Sequence, residues 1–110
     1  MESKRLEHVI KYLQLRENRG TAIELLKYLT CDAVIIDQDK NKHIGIDALT
    51  IYYSKWHPGK FEYKTPSINS DLDIKVDFSV TILFLTYKFE AIFKFPPESD
   101  LIKEIIISSK

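Results

Sequence analysis

Only one cysteine, Cys31, stands in the 110 residues. A lone thiol excludes an internal disulfide and any zinc cluster built on cysteines. Glycine is scarce too: Gly20, Gly45 and Gly59 lie far apart, so no glycine-rich loop is available to cradle phosphates. Neither sign of charge is in excess. Sixteen basic and sixteen acidic residues cancel, which leaves no global field to recruit nucleic acid or an anionic membrane. Long apolar runs are missing as well. Stretches such as Ile82–Leu85 fall far short of the ~20 residues a bilayer-spanning helix needs. The start, MESKRLEHV, is charged where a secretory signal would be apolar. These absences predict no nucleic-acid or membrane partner and a reducing compartment, the cytoplasm or the nucleus.

What is present is the material of an ordinary globular domain, 45% hydrophobic and 29% charged. No repeat, low-complexity tract or linker divides the chain, so residues 1–110 are read as one domain around one core. Leu6, Val9, Ile10 and Leu13 repeat at helical spacing and predict a first helix that ends at Asn18–Gly20. Thr21 and Glu24 then form a capping box, in which each side chain can satisfy a free backbone N–H of the other residue. Ala22, Leu25, Leu26 and Leu29 continue it as a second short helix. Ala33–Asp37 is apolar and β-branched, a strand followed by the polar turn Gln38–Lys42. Beyond Gly45, the residues Ile46, Leu49, Tyr52 or Tyr53, and Trp56 mark a third helix, which His57-Pro58-Gly59 stops.

From Lys60 the pattern turns to β. Phe61–Lys64 starts a strand, and Pro66 suggests an edge or bulge. The run Leu72–Phe95 is too long for one strand, which places a reversal near Asp77–Thr81. Alternation puts Leu83, Leu85, Tyr87, Phe89, Ala91, Phe93 and Phe95 on one face and Ile82, Phe84 and Ile92 on the other. Leu101–Ser108 forms the final strand. Helices first and strands afterwards predict an α+β fold, with three N-terminal helices on the concave face of a strongly curved antiparallel sheet.

The order helix, helix, strand DAVIID, glycine turn and helix GIDALTIYY resembles the nuclear transport factor 2-like superfamily, in particular its ketosteroid isomerase and polyketide cyclase branch. The resemblance implies a cystatin-like cone with a pocket between helices and sheet. It also implies roles: Asp37 matches a strand-end aspartate that removes a proton beside a carbonyl, and Tyr12 matches a tyrosine that donates to the enolate oxygen. The family's third member, a protonated aspartate on a late strand, is replaced in AIFKF by Ala91, while Phe93 keeps the aromatic. Losing one oxyanion donor costs about 2.7–4 kcal/mol of barrier. Glu90 cannot substitute, because adjacent strand residues face opposite ways.

Each candidate has two readings. Asp37 is a base in an apolar cavity or, the ordinary case, a solvated acid opening a polar turn. Tyr12 is a pocket donor or an amphipathic tyrosine with a wet hydroxyl. Tyr52, Trp56, Tyr87, Ala91 and Phe93 line a pocket for a flat apolar molecule or are plain core. His8, His43 and His57 lack metal-ligand spacing, so no metal or cofactor is expected, although His43 can approach Asp37 as an acid–base partner. Cys31 reads as a small buried residue. Ile82, Phe84 and Ile92 would be outward on the sheet, a surface for a homodimer with Lys88, Glu90 and Lys94 at its rim.

Two functions follow. One is a non-catalytic module that binds an apolar small molecule or dimerises. The other is a small enzyme of ketosteroid isomerase-like type, transferring a proton on an apolar carbonyl compound. The vacated acid position at Ala91 favours the first.

Overall fold

The chain opens with an amphipathic helix, α1 (Glu2–Glu17), whose stripe Val9, Tyr12 and Leu13 is buried. A computed structural model describes residues 2–55 and 59–110 of the chain. Trp56 and the expected stop at His57-Pro58 lie outside them.

α1 ends in a Schellman arrangement: Gly20 N–H donates to Leu15 O at 2.6 Å and Arg19 N–H to Arg16 O at 3.3 Å. Arg19, not Gly20, holds the left-handed angle, at φ 57°. At Gly20 the chain runs close to α1: a Cβ there would stand 2.8 Å from Leu15 Cδ2, so that side chain would have to shift. The short helix α2 (Ala22–Leu26) starts from the expected capping box, with Thr21 N–H to Glu24 Oε1 at 3.1 Å and Glu24 N–H to Thr21 Oγ1 at 3.3 Å. Leu29 was expected on this helix. It is buried instead at the start of strand β1 (Leu29–Ile36), because the helix stops at Leu26.

β1 turns through Asp37–Asn41 into β2 (Lys42–Ile44), a short strand that begins at the last residue of the expected turn Gln38–Lys42 and has no counterpart in the sequence reading. Gly45, at φ 85°, then redirects the chain into α3 (Gly45–Ser54). Leu49 and Tyr53 face the core, whereas Ile46, expected on the same face, is half exposed. The rest of the sheet follows as β3 (Lys60–Tyr63), the two-residue β4 (Ser67–Ile68), β5 (Ile74–Ile82), β6 (Leu85–Lys94) and β7 (Ile102–Ser109).

The strand order is β2-β1-β7-β6-β5-β3, with β4 also on β5. The sheet is curled and unclosed, and it is mixed rather than antiparallel. β1 and β7 run parallel, pairing Ile35 with Ile105 and Ile36 with Ile106. The cause is topological: β1 and β7 lie at opposite ends of the sequence, so no tight hairpin dictates their direction. Helices and sheet enclose one core that includes Leu25, Leu49, Ile74, Phe93, Ile102 and Ile105.

The β5–β6 reversal falls at Leu83-Phe84, not at Asp77–Thr81. Leu83 takes φ 57° at the first position of this two-residue turn, where glycine is usual. Paired residues share a face, so Ile82 stands with Leu85, Val80 with Tyr87 and Phe78 with Phe89. The outward trio Ile82, Phe84 and Ile92 therefore does not form one surface. Ile82 faces the concave side, Phe84 is 99% exposed at the turn, and Ile92 alone lies on the convex side, beside Ile106. Among the described residues, no helix is long and apolar enough to cross a membrane.

Candidate functional site

A cavity of about 790 Å³ opens between α1, α3 and the concave face of the sheet. Alternation builds its sheet side: Phe78, Val80 and Ile82 from β5, Tyr87, Phe89, Ala91 and Phe93 from β6, and Ile105 and Ile107 from β7. Four of the five expected lining residues, Tyr52, Tyr87, Ala91 and Phe93, do line it. Tyr87, 47% exposed, stands at the open end, and Ala91 and Phe93 are buried. Gly59 sits against β5 so closely that a Cβ would meet Val80 Cγ1 at 2.3 Å.

Tyr12 is in this wall, but not with the wet hydroxyl its place beside the apolar stripe suggests. It is buried, and its hydroxyl pairs with that of Tyr53 at 2.7 Å. Its ring meets Phe93 edge-on at 5.5 Å between centroids, and Tyr53 meets Tyr52 in the same way at 5.4 Å. Burial pushes all three phenols above the ordinary tyrosine value, Tyr52 to about 12. These groups stay neutral donors at ordinary pH. Only one proton can lie between two paired hydroxyls, so the other O–H of the Tyr12–Tyr53 pair is left to donate elsewhere.

Asp37 does not line the cavity, although its neighbour Gln38 does. Its Oδ1 accepts the backbone N–H groups of Asp39 and Asn41 at 2.9 and 3.0 Å, and its Oδ2 accepts from His43 Nε2 at 2.9 Å. Burial opposes the charge, yet the hydrogen bonds from His43, Asn41 and Asp39 outweigh it and hold the carboxyl below its usual value. A base works best with a pKa near the operating pH, so this environment moves Asp37 the wrong way. The expected approach of His43 to Asp37 is found. The pair closes the β1–β2 turn, with the His43 ring 4.6 Å from that of Tyr52.

Two residues outside the expected site set also line the cavity, Tyr53 and Arg16. Tyr53 is legible in the sequence as one of the two aromatics, Tyr52 or Tyr53, on one helical face. Arg16 occupies the position where the stripe Leu6–Val9–Leu13 calls for another apolar residue. Its guanidinium lies over the Tyr53 ring, 5.4 Å from the centroid. Cys31, expected to be buried, is exposed. Among the described residues no group of histidine, cysteine, aspartate or glutamate has the arrangement of a metal site.

No protein-family model matches the chain, and no curated protein matches it in sequence. Solved structures do match. An NTF-2 like protein of unknown function from Burkholderia xenovorans LB400 superposes with a TM-score of 0.82 at 13% identity, over 99% of this chain and 84% of that one. The fold is that of the NTF2-like proteins. The epoxide hydrolase/cyclase-like enzyme SalBIII, described in pyran ring formation of the polyether salinomycin, gives 0.79 at 20% identity, over 100% and 95%. A ketosteroid isomerase candidate from Kribbella flavida DSM 17836 gives 0.78 at 13%, over 98% and 78%. At such identities the NTF2-like likeness concerns architecture, which hosts many unrelated chemistries.

Proposed function

We propose that this NTF2-like chain is a non-catalytic binding module that takes an apolar small molecule into the cavity between α1, α3 and the sheet. The observation that carries the reading is the environment of Asp37. Both of its carboxylate oxygens are occupied by the turn and by His43, and it is absent from the cavity wall. The wall is largely aromatic and aliphatic, and the neutral hydroxyls of Tyr12 and Tyr53 supply a polar point for orienting a ligand. Ala91 leaves room where the resemblance would have placed an acid. The test is fluorescence titration with the neutral probe N-phenyl-1-naphthylamine. Saturable binding that Ala91→Leu abolishes, with the fold kept, is expected. Binding unaffected by filling the cavity floor would contradict the site.

The Tyr12–Tyr53 pair supports a second reading, a proton-transfer enzyme, because a free O–H can donate to a developing enolate oxygen. The two readings separate on deuterium exchange beside the carbonyl of 2-tetralone. A binding module leaves exchange at the buffer rate. Acceleration that Asp37→Asn removes would reject the non-catalytic reading.

We further propose a homodimer through the convex face, where Ile36, Ile106 and Ile92 form one half-buried row across β1, β7 and β6. Ile92→Glu should then yield monomers in sedimentation velocity, and an unchanged sedimentation coefficient would count against this face. The cytoplasm is the compartment that best suits the single exposed thiol.

A further inference from the structure

The charges around the cavity do not mirror those of the chain. The whole sequence is neutral, but the cavity is lined by Arg16, Arg19, Lys55 and Lys60 against one carboxylate, Glu17. Three of these cations are exposed at the mouth, where water screens them. Arg16 differs. It is half-buried, and its charge is felt by Tyr12, Tyr52 and Tyr53 together. Among the described residues it has no carboxylate partner and no hydrogen-bond acceptor, only the Tyr53 ring face. A guanidinium presents five donors in a planar fork that matches a carboxylate or sulfonate. Its nitrogens stay open to water, so the fork is available to an anion that enters the cavity.

We infer that the ligand is an apolar-bodied organic acid, its anionic head held by Arg16 and its body inserted between the α1–α3 tyrosines and the aromatic sheet face. This deepens the binding reading above and rests on it. Size and chemistry agree. About 790 Å³ accommodates a body of two or three fused rings. Deep in the cavity, Ala91, Phe93 and Ile105 offer a sugar or nucleotide nothing to hydrogen-bond. Arg16 also lies in the last turn of α1, where a cation complements the helix dipole. That role concerns stability alone and does not discriminate between ligands.

The experiment compares two fluorescent probes with one shared body: 8-anilinonaphthalene-1-sulfonate and its uncharged counterpart, N-phenyl-1-naphthylamine. The native protein is expected to bind the sulfonate at least about tenfold more tightly, with the difference shrinking as salt rises. Arg16→Gln should remove the preference and leave the neutral probe's affinity unchanged, while Arg16→Lys should restore part of it. Equal affinities in the native protein, or equal weakening of both probes by Arg16→Gln, would overturn the inference and leave the cavity reading standing. Failure of both probes to bind would reject the cavity reading and this inference with it. Should Arg16→Gln not fold, Arg16→Lys must weaken the sulfonate more than the neutral probe while a Lys55→Gln, Lys60→Gln double variant keeps most of the preference; a preference lost in the lysine double variant counts against the proposal.

Discussion

Two arginines, Arg5 and Arg16, sit about three turns apart on one stripe of α1, and their surroundings are opposites. Arg5 belongs to a closed end. Its Nη2 donates to Pro96 O and Ser99 O at 2.8 and 3.0 Å, and its guanidinium lies 5.1 Å from the centroid of the Phe95 ring. Its Nε comes within 3.3 Å of Asp100 Oδ1, an ion pair whose angle misses hydrogen-bond geometry. His8 ties the same loop through Asp100 O at 2.6 Å. Arg16, at the open end, has an aromatic face beneath it and no anion among the described residues. The difference teaches that one residue type on one helix serves two purposes. A guanidinium bonded to loop carbonyls beside a carboxylate fastens a loop, and one over an aromatic ring beside a cavity keeps its donors open to what enters.

The contrast can be broken most forcefully at the closed end. Arg5→Ala should cost about 3 kcal/mol, because Asp100 and two loop carbonyls lose their partner. Arg16→Gln should cost about 1 kcal/mol, the sum of a helix-dipole contribution and a half-exposed contact with the Tyr53 ring. Urea denaturation of both variants checks the ratio, and equal losses would erase the distinction.

Alkali should act next, and on the open end. The folded-state pKa values of Tyr12, Tyr52 and Tyr53 are raised, so the stability they contribute is intact below the ordinary tyrosine value. It is lost as pH climbs through the raised ones. Between about pH 10 and pH 12 stability should fall by on the order of 2 kcal/mol, and the fall should shrink in Tyr53→Phe. Urea midpoints measured across that range test it.

Asp37 gives a smaller effect of opposite sign. Its pKa is lowered in the fold, so its contribution is present above the ordinary carboxylate value and lost as pH falls through the depressed one. Asp37→Asn should cost about 1 kcal/mol at neutral pH, since the amide keeps an acceptor for the turn but loses the charge-assisted bond to His43. The variant should also lose part of the acid sensitivity, which thermal melts at low pH would report. Smallest of all, Arg19→Gly should stabilise the protein by up to about 1 kcal/mol by relieving the left-handed residue at the end of α1. It should also weaken the anion preference slightly. A variant that melts lower would show that the strain assigned to Arg19 is absent.

Much of this architecture was legible because local chemistry and tertiary fold agree there. The capping box at Thr21–Glu24 and the apolar stripe of α1 each state one preference that the structure follows, and the strand expected over Ala33–Asp37 is found as Leu29–Ile36. Legibility failed where long-range pairing overrules local signals. The turn at Leu83-Phe84 contains no glycine, asparagine or proline, and the register of β5 on β6 imposes it despite the φ of Leu83. β2 is three residues long and exists because β1 supplies its partner. At the site, the lining face of β6 could be read from alternation. The fate of Asp37 could not, because a strand-end aspartate serves a turn or a cavity equally well until the position of His43 is known. Arg16 left one trace, a charge where the helical stripe calls for an apolar side chain.

The most direct measurement is a crystal structure of the protein grown with 8-anilinonaphthalene-1-sulfonate. The rings are predicted to lie between Tyr53 and Phe93, with the sulfonate oxygens within hydrogen-bonding distance of the Arg16 guanidinium. A cavity without the probe, or a sulfonate turned away from Arg16 into solvent, would contradict the account.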